Sequence, residues 1–195
     1  MKSLSSPAPV LADSFLPSGA LADALSVVVA SLFIAVCAQI QIKLPFTPVP
    51  ISGGTLGVLY AGALLGSHRG AAAVLLYLLE GAVGLPVFSG GAAGAMHLLG
   101  PTGGYLAGFP VGTYVVGLLA EHGWDRTPLR AFLMMLAGSL PIFALGVLGL
   151  SRFLPADKLL IAGVWPFIPG DLVKAALSAG LLPLGWKILG RNQSR

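Results

Sequence analysis

The feature that most limits this chain is how little charge it carries. Only 9% of its 195 residues are Asp, Glu, Lys or Arg, whereas 56% are hydrophobic. A soluble domain keeps roughly a quarter of its residues charged. With a mean hydropathy of +0.90, so much apolar surface needs lipid as its solvent. A membrane-spanning helix takes about 20 residues, which leaves room for roughly six or seven spans and no second soluble domain.

Apolar runs, punctuated by Pro, Gly and charge, predict an all-α integral membrane protein with six transmembrane helices. The expected spans are 21–42, 51–66, 70–83, 104–120, 129–150 and 170–189. The second and third are short, which implies tilt or a locally thin hydrocarbon layer. They form a single six-helix domain over 21–190, flanked by cytoplasmic tails at 1–20 and 191–195. Residues 1–17, rich in Ser and Pro and bearing only Lys2, make a poor signal peptide and read as a short mobile tail.

Orientation follows from the basic residues. With both termini inside, the inner segments hold Lys2, Arg69, Arg126, Arg130, Lys187, Arg191 and Arg195, and the outer ones Lys43, Arg152 and Lys158. Cytoplasmic loops attract the excess of Lys and Arg, so an N-in, C-in arrangement is self-consistent. It also explains the net charge of +4 without a nucleic-acid partner. The outer connection 84–103 contains no Lys, Arg, Asp or Glu. Non-helical backbone at membrane depth is tolerated where it packs on protein or lines a cavity. This loop between the third and fourth spans is therefore expected to fold down as a lid.

Three ionisable residues fall in or at the edge of apolar spans: Glu80, Asp171 and Lys174. An intramembrane charge costs at least about 2.5–3.5 kcal/mol on insertion scales and is usually paired and functional. In the expected topology all three lie in the outer half of the membrane. Asp171 and Lys174, three apart, share one helix face, and Pro169-Gly170 opens that helix. Together they offer an acceptor for N–H groups and a cationic donor for oxygen, as a urea, an amide or an anionic tail would require. A second reading also fits: Asp171 caps the helix and Lys174 snorkels to the interface. Glu80 fits three roles, pairing with Lys174, contacting a solute or facing headgroups.

Other polar groups expected at this depth come from the loop: Ser89, His97, Thr102 and Tyr105. No Cys, His or Asp spacing suits a metal, and no phosphate loop, HExxH or GxSxG motif is present. Cys37, alone in an apolar run, reads as a small core residue. On the first span Ser31, Ala35 and Gln39 form a small-residue stripe that fits internal packing or a partner helix.

Four stretches then resemble the BioY family, the biotin-specific S components of energy-coupling-factor transporters. They are Pro45-Phe46-Thr47-Pro48-Val49-Pro50-Ile51, Leu85-Pro86-Val87-Phe88, Gly100-Pro101-Thr102-Gly103-Gly104-Tyr105-Leu106-Ala107-Gly108-Phe109 and Pro169-Gly170-Asp171-Leu172-Val173-Lys174. The resemblance covers residues 25–190 in order. It implies six helices, capture of biotin at the outer face of a bacterial inner membrane, and delivery with a transmembrane coupling protein and two ATPase subunits. The family's Asp and Lys of the last helix map onto Asp171 and Lys174, and its loop contacts onto Ser89, His97, Thr102 and Tyr105. Phe88 and Tyr105 are expected to line an apolar slot for the thioether ring and valeryl chain. Ser31 and Ala35 become candidates for docking on the coupling protein. The chain departs from many relatives at Ser52-Gly53-Gly54-Thr55, where a Thr-x-Gln-Thr pattern loses its Gln. A second departure is His97, which stands where relatives place a longer basic side chain, so the resemblance leaves open which group holds the biotin carboxylate.

The expected function is thus a non-enzymatic, cofactor-free biotin-binding subunit. The alternative is a self-sufficient secondary transporter using Glu80 or Asp171 as a proton relay. Such proteins often carry internal repeats with broken helices, and Pro169-Gly170-Asp171 has no counterpart in the first half. A membrane enzyme pairing Glu80 and Asp171 beside His97 would lack a recognised nucleophile or metal set.

Overall fold

A computed structural model describes residues 9–15 and 17–193. Among them run eight α-helices: α1 (Ala20–Gln39), α2 (Gly54–Leu65), α3 (Ser67–Ala82), α4 (Ala95–Leu98), α5 (Gly103–Glu121), α6 (Pro128–Leu150), α7 (Ala156–Gly163) and α8 (Ile168–Gln193). Four segments are long and apolar enough to cross a membrane: Ala20–Gln39, Gly103–Glu121, Pro128–Leu150 and Ala156–Leu189. A shorter apolar helix covers Gly54–Leu65. Their outward faces carry large aliphatic side chains, among them Leu25, Val29, Leu32 and Val36 on α1 and Leu140 and Leu148 on α6. Such faces suit hydrocarbon as the surrounding solvent.

The chain is not purely helical. Strands β1 (Gln41–Ile42) and β2 (Ile51–Ser52) pair antiparallel, Gln41 opposite Ser52 and Ile42 opposite Ile51. The ends expected for the first two spans are thus a hairpin. Pro45, Pro48 and Pro50 between them lack the N–H that a continuing helix needs. A second departure is α7, an unanticipated short helix before α8. A third concerns the N-terminal tail. Residues 11–14 form a 3₁₀ turn, with Val10 and Leu11 only 2% and 5% exposed. Arg69 clamps this segment, donating to Asp13 and, at 3.0 Å, to Asp23. The expected mobile tail is therefore docked over residues 9–15, and residues 1–8 lie outside the described part.

Helices α5 and α6 pack against each other most closely. A Cβ on Gly104, Gly108 or Gly112 would lie 2.3 Å from the Leu145 oxygen, 2.7 Å from the Ile142 Cα or 2.5 Å from the Gly138 oxygen. Only a glycine stripe lets the two backbones meet at this distance. At the bundle end bearing the α5–α6 connection, Asp125 is fully buried and accepts the Trp186 indole N–H at 2.5 Å. Burial pushes its carboxyl up, and the Trp186 bond opposes that rise.

Candidate functional site

The opposite end of the bundle carries the β-hairpin and the segment between α3 and α4. Leu85 N–H donates to the Glu80 carbonyl at 3.1 Å, and Gly94 N–H to the Gly81 carbonyl at 2.7 Å. These two bonds fold the segment back onto the end of α3. The turn drives Phe88 into the bundle, where it is 0% exposed. Its ring meets Tyr77 edge-on at 5.6 Å and stacks on His97 at 5.3 Å. A Cβ at position 81 would lie 2.1 Å from that ring, so a glycine there makes room for Phe88. The Gln39 side chain donates to the carbonyls of Val87 and Phe88 at 3.3 and 3.5 Å, and Ser89 donates to Gln41 at 3.1 Å. The hairpin and this segment are thereby tied across the mouth of a cleft.

The cleft narrows inward. A vestibule of about 440 Å³ is lined by Gln41, Lys43, Thr47, Ser89, His97 and Thr102, among others. Below it a slot of about 80 Å³ is walled by Val49, Pro50, Phe88, Tyr105, Phe109, Ile142, Phe143 and Phe167. Pro50, Ser89, His97 and Thr102 border both, so the two spaces adjoin. The slot is apolar on most sides and polar at one end, where Asp171, Lys174, Ser52 and Thr55 meet. Apolar walls with a few convergent polar groups are the usual form of a small-molecule site.

Asp171 and Lys174 occupy the opening turns of α8, with side chains 11% and 18% exposed. Lys174 Nζ donates to Asp171 Oδ1 at 3.2 Å, to Thr55 Oγ1 at 2.5 Å and to the Ser52 carbonyl at 3.1 Å. Its three N–H donors are thus matched by three acceptors, as a nearly buried ammonium requires. Among the described residues Asp171 Oδ2 accepts no hydrogen bond, which leaves a carboxylate oxygen for a donor entering the slot. The capping and snorkelling reading does not account for this arrangement, because Lys174 turns inward across to α2.

Seven of the eight residues expected to contact a solute line this cleft: Asp171, Lys174, Tyr105, Thr102, His97, Ser89 and Phe88. Two of them have other engagements. Tyr105 donates its hydroxyl to the Gly163 carbonyl at 2.7 Å, and Thr102 shares a hydrogen bond with His97 Nε2 at 3.2 Å. Burial lowers the His97 pKa below its ordinary value, which favours the neutral ring. Glu80 is the exception. It is not among the residues lining either part of the cleft, and its Oε1 accepts the Ser31 hydroxyl at 3.1 Å.

That bond also bears on the two roles expected for the α1 stripe. Ser31 and Ala35 are 0% and 8% exposed and point into the bundle, where α1 packs on α2 and α3. The outward face of α1 carries large aliphatic residues instead, so in this structure the small-residue stripe serves internal packing.

Sequence reasoning missed Ser52 and Thr55 as partners of Lys174. It registered them only as a departure from the pattern of relatives. The signal lay in the lysine: a buried ammonium needs several acceptors, and these were oxygens of the expected depth on the facing span. The aromatic walls Phe109, Phe143 and Phe167 had no such signal, since every span is rich in apolar residues.

The model of the BioY family matches residues 8–191. A probable biotin transporter BioY of Pyrococcus horikoshii is 42% identical over 136 residues, covering 70% of this chain and 80% of that protein. The biotin transporter BioY of Rhizobium etli is 38% identical over 164 residues, covering 80% and 87%. The crystal structure of the S-component for biotin from an ECF-type ABC transporter superposes with a TM-score of 0.74 at 28% identity, covering 86% of this chain and 92% of that one. A match along nearly the whole sequence, together with this likeness in fold, leaves one assignment: the chain belongs to the BioY family.

Proposed function

We propose that this protein is the biotin-binding S component of an energy-coupling-factor vitamin transporter, a multi-pass protein of the cell membrane. The observation that carries the reading is the Asp171–Lys174 pair at the polar end of an otherwise apolar slot. Biotin has matching parts. Its ureido ring presents two N–H donors and a carbonyl, and its thioether ring and valeryl chain are apolar. Asp171 Oδ2 accepts a ureido N–H. Lys174 takes the ureido oxygen by exchanging one carbonyl acceptor, that of Ser52, for another. The aromatic walls bury the fused rings.

In this reading α1, α2, α3, α5, α6 and α8 are the six spans, with both termini inside. Helix α2 at 12 residues and α3 at 16 are shorter than the roughly 20 needed to cross a full hydrocarbon layer, so the bilayer thins around them. The cleft then opens outward, and residues 84–102 with the hairpin form its lid, held shut by the Gln39 and Gln41 bonds. The protein captures and delivers; it catalyses nothing. A transmembrane coupling protein with its ATPase subunits supplies the energy, because no phosphate-binding motif occurs in this chain. Glu80 leaves the list of solute contacts and becomes a polar tie between α1 and α3, which removes one of the two relays a proton-coupled transporter would use.

The test is equilibrium binding of labelled biotin, with thiamine and riboflavin as controls, to purified protein in detergent. Saturable binding of biotin alone is expected. Absence of biotin binding by correctly folded protein would overturn the reading. Protonophore-sensitive uptake in cells without a coupling module would favour a secondary transporter.

A further inference from the structure

The cleft is charged at two depths, and only the deeper charge is neutralised. Lys174 at the floor is matched by Asp171. The vestibule above is lined by one lysine, Lys43, and by no Asp or Glu. Lys43 takes part in no ion pair among the described residues.

Its position is set by the hairpin. Lys43 follows β1 directly, two residues after Gln41. Gln41 is held against Ser89 of the facing segment at 3.1 Å, and both Gln41 and Lys43 border the vestibule. The other polar groups there are engaged or neutral. Thr47 donates to the Ala162 carbonyl at 2.8 Å, and His97 is shared with Thr102 at 3.2 Å. A molecule seated with a polar ring against Asp171 and an apolar stem along the slot would bring its far end into the field of Lys43.

We propose that Lys43 is the charge-reading residue of this site. Through it the protein selects solutes whose apolar stem ends in an anionic group and disfavours the neutral amide or ester of the same molecule. This rests on the biotin reading, in which the anionic end is the valerate carboxylate. Lys43 is exposed, so it acts as a rim charge. Its effect is that of one partly solvated ion pair, roughly fivefold in affinity, and it weakens with salt.

The experiment compares biotin with biotin amide by equilibrium binding to the purified full chain at low and high salt, for wild type, Lys43→Gln and Lys43→Arg. The wild type is expected to prefer biotin by about fivefold at low salt, and less at high salt. Lys43→Gln should bind both compounds as the wild type binds the amide, while Lys43→Arg keeps the preference. A preference that survives in Lys43→Gln, or a wild type that does not distinguish the two, overturns the role of Lys43 and leaves the biotin reading standing. A folded wild type that binds neither compound overturns the biotin reading and this inference with it.

Discussion

Replacing Asp171 by Asn tests the floor of the cleft with almost no change of shape. At 3.2 Å, the attraction between Asp171 and Lys174 amounts to roughly 5 kcal/mol at an effective dielectric constant of about 20. Most of that is not lost to the folded protein. The Asn oxygen still faces the ammonium, and Lys174 keeps Thr55 at 2.5 Å and the Ser52 carbonyl at 3.1 Å. A net destabilisation of about 1–3 kcal/mol is expected. Binding suffers in a different way. The solute now meets a neutral oxygen in place of a carboxylate, and a hydrogen bond to a charged group is worth about 1–2 kcal/mol more than one between neutral groups. The affinity for biotin should therefore fall by roughly tenfold to a hundredfold, the larger figure applying if both ureido donors use this carboxylate. Isothermal titration calorimetry on detergent-purified protein measures the affinity, and thermal unfolding without ligand measures the stability. An affinity within twofold of wild type, in a variant that remains folded, would refute the role given to Asp171.

Three further outcomes follow from the same geometry. Gly81→Ala sets a Cβ 2.1 Å from the Phe88 ring and must displace it from the slot, at a cost of about 1–3 kcal/mol; weaker biotin binding with retained membrane insertion is the result to look for. Because burial lowers the His97 pKa, the folded state prefers the neutral ring, so its contribution to stability is complete above the unfolded value near 6.5 and declines as pH falls below it. A melting temperature that drops less steeply between about pH 7 and pH 5 in His97→Gln than in wild type would bear this out, and identical slopes would count against it. Trp186→Phe removes the indole donor from Asp125, whose other oxygen already lacks a partner; about 1–3 kcal/mol of stability should be lost, read by denaturation in detergent, with biotin affinity unaltered.

Which features could be read from the chain depended on their range. The opening of α8 at Pro169-Gly170 and the break at Pro45, Pro48 and Pro50 are local matters of backbone chemistry. They were visible as punctuation, although the prolines were read as a loop and not as the turn of a hairpin. The Asp171–Lys174 pair was visible for the same reason, since i,i+3 spacing on a helix brings two side chains together whatever surrounds them. The N-terminal segment was misread because its composition is that of a loop. Its order comes from Arg69, which gathers Asp13 and Asp23 from positions far apart in sequence.

The sequence by itself determined the solvent and the inventory. So few charges on so apolar a chain exclude water as the medium for most of its surface, and an aspartate and a lysine on one helix face must either find partners or serve a solute. Only the tertiary structure decided which groups those partners are and which way each face turns. Glu80 was expected beside the pair, yet its carboxylate meets Ser31 and lines no part of the cleft, while Ser52 of β2 and Thr55 of α2 come across to surround Lys174. The physical reason is that a helix fixes the height and the relative angle of its own side chains, whereas its rotation is set by packing against neighbouring helices. In a chain whose helices are apolar on nearly every side, hydrophobic pattern alone cannot supply that rotation.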